Sequence, residues 1–180
     1  MRLTRRGTEL ITDIRTALAP ARGELESTQA VMRALHPHLT HADLLLPSQR
    51  ASAPDGYQQH VLHVEPDGSF SVVSLVWLPG QTTPIHDHVS WCVVGIHRGT
   101  EEEIQYRLES VRGQDHLMPQ TISLSHRGTV CGLTPPGDIH EVRNATDTMT
   151  ISIHVYGADI SKLGTSIRRR YDQPVLTSFN

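Results

Sequence analysis

Two histidines stand two residues apart in the segment Gly80-Gln-Thr-Thr-Pro-Ile-His86-Asp-His88, and a third sits in the later segment Pro135-Pro-Gly137-Asp-Ile-His140-Glu-Val-Arg-Asn144. Side chains alternate along a strand, so histidines at i and i+2 share a face. His140 follows a Pro/Gly turn and opens a second strand-like stretch. Three imidazoles converging from two strands make a metal site, with coordination positions left open for a substrate. Taken singly, a histidine in a chain that holds 12 of them is more often a core or surface residue. The paired spacing is what singles out His86, His88 and His140.

A second row lies near the end of the chain. Ser152, His154 and Tyr156 occupy i, i+2 and i+4, while Ile151, Ile153 and Val155 take the opposite face. A polar row backed by a wholly apolar one needs hydrogen-bond partners if it is buried. The spacing predicts a relay from Ser152 through His154 to Tyr156, with the phenol aimed at the metal; the plainer alternative is a solvent-facing row. Cys92 has the same parity as His86 and His88 if residues 85–96 form one strand, so it too is expected to point inward.

The elements that must position these residues change character at about residue 57. Upstream, Leu10, Ile11, Ile14, Ala17 and Leu18 recur at helical spacing and Pro20 ends the run. Ser27 or Thr28 caps a second helix that ends near Pro37, and a third short piece runs from His41 to Leu46. Residues 47–56 are a connector. Downstream, strands are predicted over residues 57–64, 70–78, 85–96, 102–108, 122–124, 129–133, 139–143 and 149–156, with Glu65-Pro-Asp-Gly68 as a hairpin turn. Many short strands with Gly/Pro turns indicate a β-sandwich or jelly-roll barrel. The expected organisation is one domain over residues 1–180: a helical extension (1–46), a β-barrel core (57–160) and a tail (161–180) folding back over the barrel.

Composition narrows the partners. The formal net charge is -3 and the pI about 6.4, which suggests neither nucleic acid nor a polybasic membrane anchor. No apolar run approaches a membrane span, and Thr8, Glu9, Thr12 and Asp13 interrupt the N-terminal stretch where a secretory signal would be apolar. Two cysteines, Cys92 and Cys131, make a disulfide scaffold unnecessary, and the cytoplasm is the expected compartment.

The two histidine segments resemble the two motifs of the cupin superfamily. The first reads Gly-x5-His-x-His-x3,4-Glu-x6-Gly in that family; this chain has Gly80, His86, His88 and Gly99, with Cys92 where the glutamate would stand. The second is matched by Pro135, Gly137, His140 and Asn144. The resemblance implies an all-β cupin double-stranded β-helix, a jelly-roll barrel, preceded by N-terminal α-helices. Three histidines without the carboxylate, together with Ser152-Ile-His154-Val-Tyr156-Gly, resemble the cysteine dioxygenase family of thiol dioxygenases over about residues 57–160.

That resemblance implies Fe(II) held by His86, His88 and His140, a small thiol and O2 as reactants, and a sulfinic acid as product. It implies that Tyr156 hydrogen-bonds oxygen and substrate, that His154 orients Tyr156 and that Ser152 supports His154. Three neutral ligands leave a divalent iron its full +2 charge, rather than about +1, which favours an anionic ligand such as a thiolate. In animal members a cysteine in this region forms a thioether with the active-site tyrosine, so a Cys92–Tyr156 cross-link stands beside a buried free thiol as the fate of Cys92. The family holds the substrate carboxylate with an arginine on the strand before the first motif. Residues 57–63 contain none, and Gln59 in this place resembles the 3-mercaptopropionate dioxygenase branch. Glutamine supplies hydrogen bonds but no charge; the resemblance assigns the cation to Arg168 in the tail, in a run that otherwise reads as a solvated basic face. His60 and His63 are further candidates for the pocket. The rival readings are a zinc hydrolase or isomerase on the same barrel and a cupin that binds a small ligand without catalysis.

Overall fold

The computed structural model describes residues 2–176; Met1 and residues 177–180 of the expected tail lie outside the described residues. Helix α1 (Arg5–Leu18) starts where the Thr4 hydroxyl accepts from the Gly7 N–H at 2.8 Å. It buries Leu10, Ile11 and Ile14, the stripe that the helical spacing predicts. Helix α2 (Glu24–Leu35) ends against a short 3-10 turn at His36–His38, which contains Pro37. The third helical piece predicted at His41 to Leu46 is not formed: these residues make irregular turns, with Leu44 and Leu45 buried. The next helical turn comes instead at Pro47–Arg50, because proline favours the first helical position and ends what precedes it.

Among the described residues ten strands follow: β1 (Gln58–Val64), β2 (Ser71–Trp77), β3 (His86–His88), β4 (Cys92–Arg98), β5 (Thr100–Val111), β6 (Gln114–His126), β7 (Val130–Leu133), β8 (His140–Asn144), β9 (Thr150–Tyr156) and β10 (Ile167–Arg170). They form two five-stranded sheets, in the orders β1-β2-β9-β4-β7 and β10-β3-β8-β5-β6. All the strand pairings are antiparallel. The architecture is a cupin jelly roll with an N-terminal helix pair, as expected.

The helices explain why every residue of β2 and β9 is buried. Val72, Val76, Ile151, Ile153 and Val155 face outward from the first sheet and pack in one core with Leu10, Ile14, Val31 and Leu35. Two glycines admit this close approach. A Cβ at Gly95 would stand 2.7 Å from Leu39, and one at Gly132 would stand 2.3 Å from Thr28. The inner face of the same sheet is then free to carry polar side chains into the barrel.

Two strand predictions need correction. The single strand expected over residues 85–96 is two strands, β3 and β4, which belong to different sheets. Val89, Ser90 and Trp91 cross between them, with the Val89 N–H on Ser166 O and the Gly157 N–H on Trp91 O, both at 3.0 Å. The short strands expected at residues 102–108 and 122–124 are parts of the long β5–β6 hairpin. Its turn is Arg112-Gly113, with both φ angles positive (53° and 81°), the backbone of a type I′ turn that matches strand twist. Pro119 sits beside the register shift in this hairpin, where a missing N–H costs least.

The expected return of the tail is present. β10 pairs antiparallel with β3, placing Ile167 opposite His88 and Arg170 opposite His86, with a bulge between Ile167 and Arg169. The turn at Glu65–Gly68 also forms, with the Gly68 N–H on Glu65 O at 2.8 Å. Asn144, the last residue of the second motif, is structural. Its amide donates to Trp77 O and Thr148 O, and its oxygen accepts from Thr146 and Thr150, tying the end of β8 to β2 and β9.

Candidate metal centre

His86 and His140 are direct register partners on β3 and β8, and His88 is two residues along the same face. The three rings converge, with centroids 4.7 Å apart for His86–His140, 4.8 Å for His86–His88 and 5.0 Å for His88–His140. All three residues are buried, and they offer ligand atoms within 4.8 Å of one another.

The proton arrangement decides what these rings can bind. His86 Nδ1 donates to Pro84 O at 2.9 Å, His88 Nδ1 to Asp138 at 3.0 Å and His140 Nδ1 to Glu103 at 2.6 Å. Each ring is thereby fixed in the tautomer that leaves an Nε2 lone pair for the common centre. His140 Nε2 is buried with no partner among the described residues. A buried polar atom without a partner is costly, and a cation is the group that three converging lone pairs satisfy together. The donor set therefore fits a divalent metal.

Electrostatics point the same way. Burial, reinforced by the neighbouring His140 and His88, lowers the His86 pKa to about 3. Burial also lowers that of His88, against the pull of Asp138. Neutral imidazole is the ligating form. Burial pushes Glu103 and Asp138 upward, but hydrogen bonding to His140 and His88 outweighs it and holds both carboxyls below their ordinary range. Both are anchors that sequence reasoning missed. Asp138 lies inside the second motif and had a signal, two residues before His140. Glu103 had none, because it sits in the run Glu101-Glu102-Glu103, which looks like a solvated strand edge.

The row on β9 faces this centre. Ser152 Oγ lies 2.9 Å from His154 Nε2, and the Tyr156 hydroxyl 3.2 Å from His154 Nδ1. All three are buried, so the solvent-facing alternative does not hold. The Tyr156 ring centroid is 6.2 Å from that of His88. Burial, with the charges that the three facing histidines would carry, drops the His154 pKa to about 3. His154 is thus a neutral ring with one N–H and one lone pair, both used inside the row. The Trp77 indole donates to Ser152 Oγ at 3.3 Å.

Cys92 is fully buried opposite Tyr156 in register, with Sγ 3.9 Å from His154 Nδ1. It faces inward, though not by parity along one strand; the chain has crossed to the other sheet, and pairing with β9 sets its direction. Burial pushes the Cys92 thiol and the Tyr156 phenol well above their ordinary values, so both are protonated at neutral pH.

A cavity reaches the histidines from the barrel mouth, with an empty volume of about 450 Å³ that includes part of its opening. Tyr57, Gln59, Thr165 and Ile167 line its outer part. Gln59, the sequence candidate for a substrate contact, lies in this lining. Arg168 lies instead on the outer side, bound to Asp87 at 2.5 Å, and does not line the cavity. Asp87 alternates with the two histidines, so it points away from the centre and also accepts from the Tyr171 hydroxyl. The bulge before Arg169 makes Arg170 the register partner of His86, on the histidine side of β10, with its side chain exposed at the edge of the barrel and outside the cavity lining. Arg170 is close enough to lower the Tyr57 phenol pKa, which burial raises. His60 and His63 are held elsewhere, on Ala51 O and Glu65.

A jelly-roll barrel with a three-histidine centre at its mouth is the metal-binding class of cupin. Within that class, the family model for cysteine dioxygenase type I matches residues 9–173, and this chain belongs to that family. Membership implies a non-haem metal and dioxygenase chemistry in general. Similar solved structures include a protein of Thermus thermophilus, 19% identical, covering 64% of this chain and 96% of its own at a TM-score of 0.46. A double-stranded β-helix protein of Klebsiella pneumoniae is 16% identical, covering 66% and 92% at 0.48. A cupin 2 conserved barrel protein of Salinispora arenicola is 19% identical, covering 69% and 98% at 0.46.

Proposed function

We propose that this protein is an Fe(II)-dependent thiol dioxygenase that converts a small thiol carboxylate and O2 into the sulfinic acid. The observation that carries the reading is the all-imidazole centre, with three neutral ligands and no carboxylate among them, facing the Ser152–His154–Tyr156 row. Iron(II) held by His86, His88 and His140 would supply the redox chemistry that joins O2 to a thiolate. The overall change is RSH + O2 → RSO2H, in which the sulfur provides all four electrons and no external reductant is consumed.

The side chains of this chain do the rest. Neutral ligands leave the centre its full charge and favour the thiolate over the thiol. The Tyr156 hydroxyl is positioned to hydrogen-bond reacting oxygen and sulfur, and His154 fixes the orientation of that hydroxyl. Trp77 and Leu75 keep the inner wall of the cavity apolar. The cytoplasm, where thiols are kept reduced, is the compartment we infer.

The rim supports a carboxylate at the far end of the substrate. Gln59 supplies an amide, and Arg170 is the arginine on the metal side of β10. Replacing Arg170 with Gln is expected to raise KM for an acidic thiol up to about fivefold, with kcat changed far less, because a solvent-accessible charge pair contributes at most about 1 kcal/mol of binding. Gln59→Ala is expected to act in the same direction. The Arg168→Gln variant serves as the comparison, since its charge is already held by Asp87. Steady-state kinetics with 3-mercaptopropionate and with cysteamine separates the cases: a KM effect that persists with cysteamine, which has no carboxylate, would reject the assignment.

The pairing of Cys92 with Tyr156 places a thiol beside a phenol ring. A thioether is expected to accumulate during turnover, with O2 as oxidant and two hydrogens lost from the pair. Peptide mass mapping before and after turnover checks this; two intact, separate peptides after many turnovers would rule it out.

The reading as a whole is tested by O2 uptake of the iron(II)-loaded protein against 3-mercaptopropionate, cysteine, cysteamine and a thioimidazole, with sulfinate identified by mass spectrometry. Uptake coupled one-to-one to a sulfinate supports it. Silence with every thiol by protein holding one iron would reject it in favour of another metal-dependent chemistry or a ligand-binding role.

A further inference from the structure

The hydrogen-bonded row on β9 does not end at Ser152. On β5, directly across the barrel, Glu101 is 4% exposed, and its carboxyl faces the Ser152 hydroxyl and the Trp77 indole. Its Oε1 is buried without a completed hydrogen bond among the described residues. Among the described residues, no basic group acts on it. Its own strand presents Glu103; β7 presents the Cys131 thiol; β9 presents Ser152 and, behind it, His154. From β2 comes only Trp77, and its register partners Asn144 and Ser125 on β8 and β6 are neutral. A lone buried carboxyl against a hydroxyl is an arrangement that the metal centre does not need for its ligands.

Hydrogen-bond counting gives that carboxyl a consequence. His154 is neutral, so it has one donor and one acceptor, and Ser152 has one donor and two acceptor sites. The Trp77 N–H, which also lies against the Glu101 carboxyl, takes one of the Ser152 acceptor sites. Two complete arrangements remain. With a carboxylate at position 101, the Ser152 O–H points to Glu101, His154 Nε2–H donates to Ser152 Oγ, and Tyr156 donates to His154 Nδ1. With a carboxylic acid there, Glu101 donates to Ser152, Ser152 donates to His154 Nε2, and His154 Nδ1–H donates to the Tyr156 oxygen. Ser152 and both ring nitrogens of His154 are satisfied in both. The arrangements differ in where the Tyr156 hydrogen goes: to His154 in the first, and free to turn toward the three histidines in the second.

We propose that Glu101 is the positioning residue that sets the direction of the Ser152–His154–Tyr156 relay, its single proton deciding whether the Tyr156 hydroxyl donates to His154 or toward the metal centre. Glu101 touches no reacting atom in this role; it acts through two intermediaries. Burial raises its pKa to about 7, against the lowering pull of Ser152, so the two arrangements exchange within the physiological range. Under the thiol dioxygenase reading, the hydroxyl is offered to reacting oxygen only in the protonated arrangement. The relay itself exists whatever the substrate.

The test reads the proton positions directly. Protein labelled with 15N at histidine, freed of metal by a chelator, is followed by long-range 1H–15N spectra from about pH 5.5 to about pH 8.5; the spectra are repeated with one equivalent of zinc(II). His154→Gln assigns the His154 signals. The expected result is a change of His154 Nδ1 from protonated in acid to unprotonated in alkali, with a midpoint at about 7. Glu101→Gln cannot ionise, and its amide N–H replaces the acid proton on Ser152. It is expected to hold His154 in the acid-form tautomer at every pH and to melt higher than wild type above pH 7, where it removes an unpaired buried charge. Ser152→Ala, which cuts the relay, is expected to abolish the pH response while leaving Glu101 in place, so the test does not depend on one variant folding. A His154 that keeps one tautomer throughout in the wild type would overturn the proposal, as would a transition that survives unchanged in both variants. Because neither substrate nor turnover enters the measurement, inactivity toward thiols and failure of this inference are separate outcomes.

Discussion

Replacing His140 with Ala is expected to abolish stoichiometric iron binding and to lower thiol-dependent O2 uptake by about a thousandfold or more, because a lost ligand is a lost site. The structure predicts a graded pattern around that result. The His140 ring spans the buried interval between Glu103 and the centre, with Nδ1 2.6 Å from the carboxylate and Nε2 otherwise partnerless. The alanine variant removes the lone pair and also strands Glu103, a partly desolvated carboxylate, at a cost of about 1–3 kcal/mol in stability. Glu103→Gln leaves all three lone pairs in place and weakens only the tautomer and orientation of one ring. Its expected effect is about 10–100-fold in metal affinity, with iron still bound at saturating concentration. Metal analysis after equilibrium dialysis, with thermal melts of both variants, checks the order. Equal iron content in wild type and His140→Ala would remove this triad as the metal site.

Much of this centre was legible because its residues obey strand parity within single elements. His86 and His88 share one strand face, as do Ser152, His154 and Tyr156, and the apolar row between the latter needed only a helix pair to cover it. Parity fails where a strand bends. Residues 85–94 contain no Pro or Gly to mark a break, yet Val89, Ser90 and Trp91 carry the chain from one sheet to the other. The inward position of Cys92 survived only because β9 lies beside it. The bulge in β10 had the opposite outcome: one extra residue turns Arg168 outward onto Asp87 and leaves Arg170 opposite His86. Bulges leave no reliable mark in a run of three arginines. The acidic stretch Glu101-Glu102-Glu103 concealed most. Glu102 pairs with the exposed Arg143 at 2.6 Å on the other face of the strand, while Glu103 holds one end of His140 and Glu101 faces Ser152. Burial of two carboxyls in one strand is a tertiary fact, since it depends on which groups the opposite sheet presents.

The second large effect is expected at Tyr156. Tyr156→Phe keeps the ring, which packs with Val73, Trp77 and Cys92 in the inner core, and removes one oxygen. Stability and iron content are expected to stay near wild type, while kcat falls about 10²–10³-fold, the usual loss for one preorganised donor at a reacting oxygen. The structure supplies the reason for so large an effect without a change in binding. The hydroxyl is held by His154 Nδ1 at 3.2 Å in a buried setting, and phenylalanine supplies no donor in its place. Loss of the hydroxyl also removes the phenol needed for a thioether, and the two roles must be told apart. Cys92→Ala does so: it forbids the cross-link and keeps the hydroxyl. If the hydroxyl matters, Cys92→Ala retains most of its kcat and Tyr156→Phe does not. If the cross-link matters, both fall together and neither shows the rise in rate that accompanies cross-link formation in the wild type. Single-turnover and steady-state O2 uptake on the three proteins, each with measured iron content, decides between them. A Tyr156→Phe enzyme within about threefold of wild type, a difference under 1 kcal/mol, would place the Ser152–His154–Tyr156 row outside the chemistry and leave it a role in holding the barrel wall.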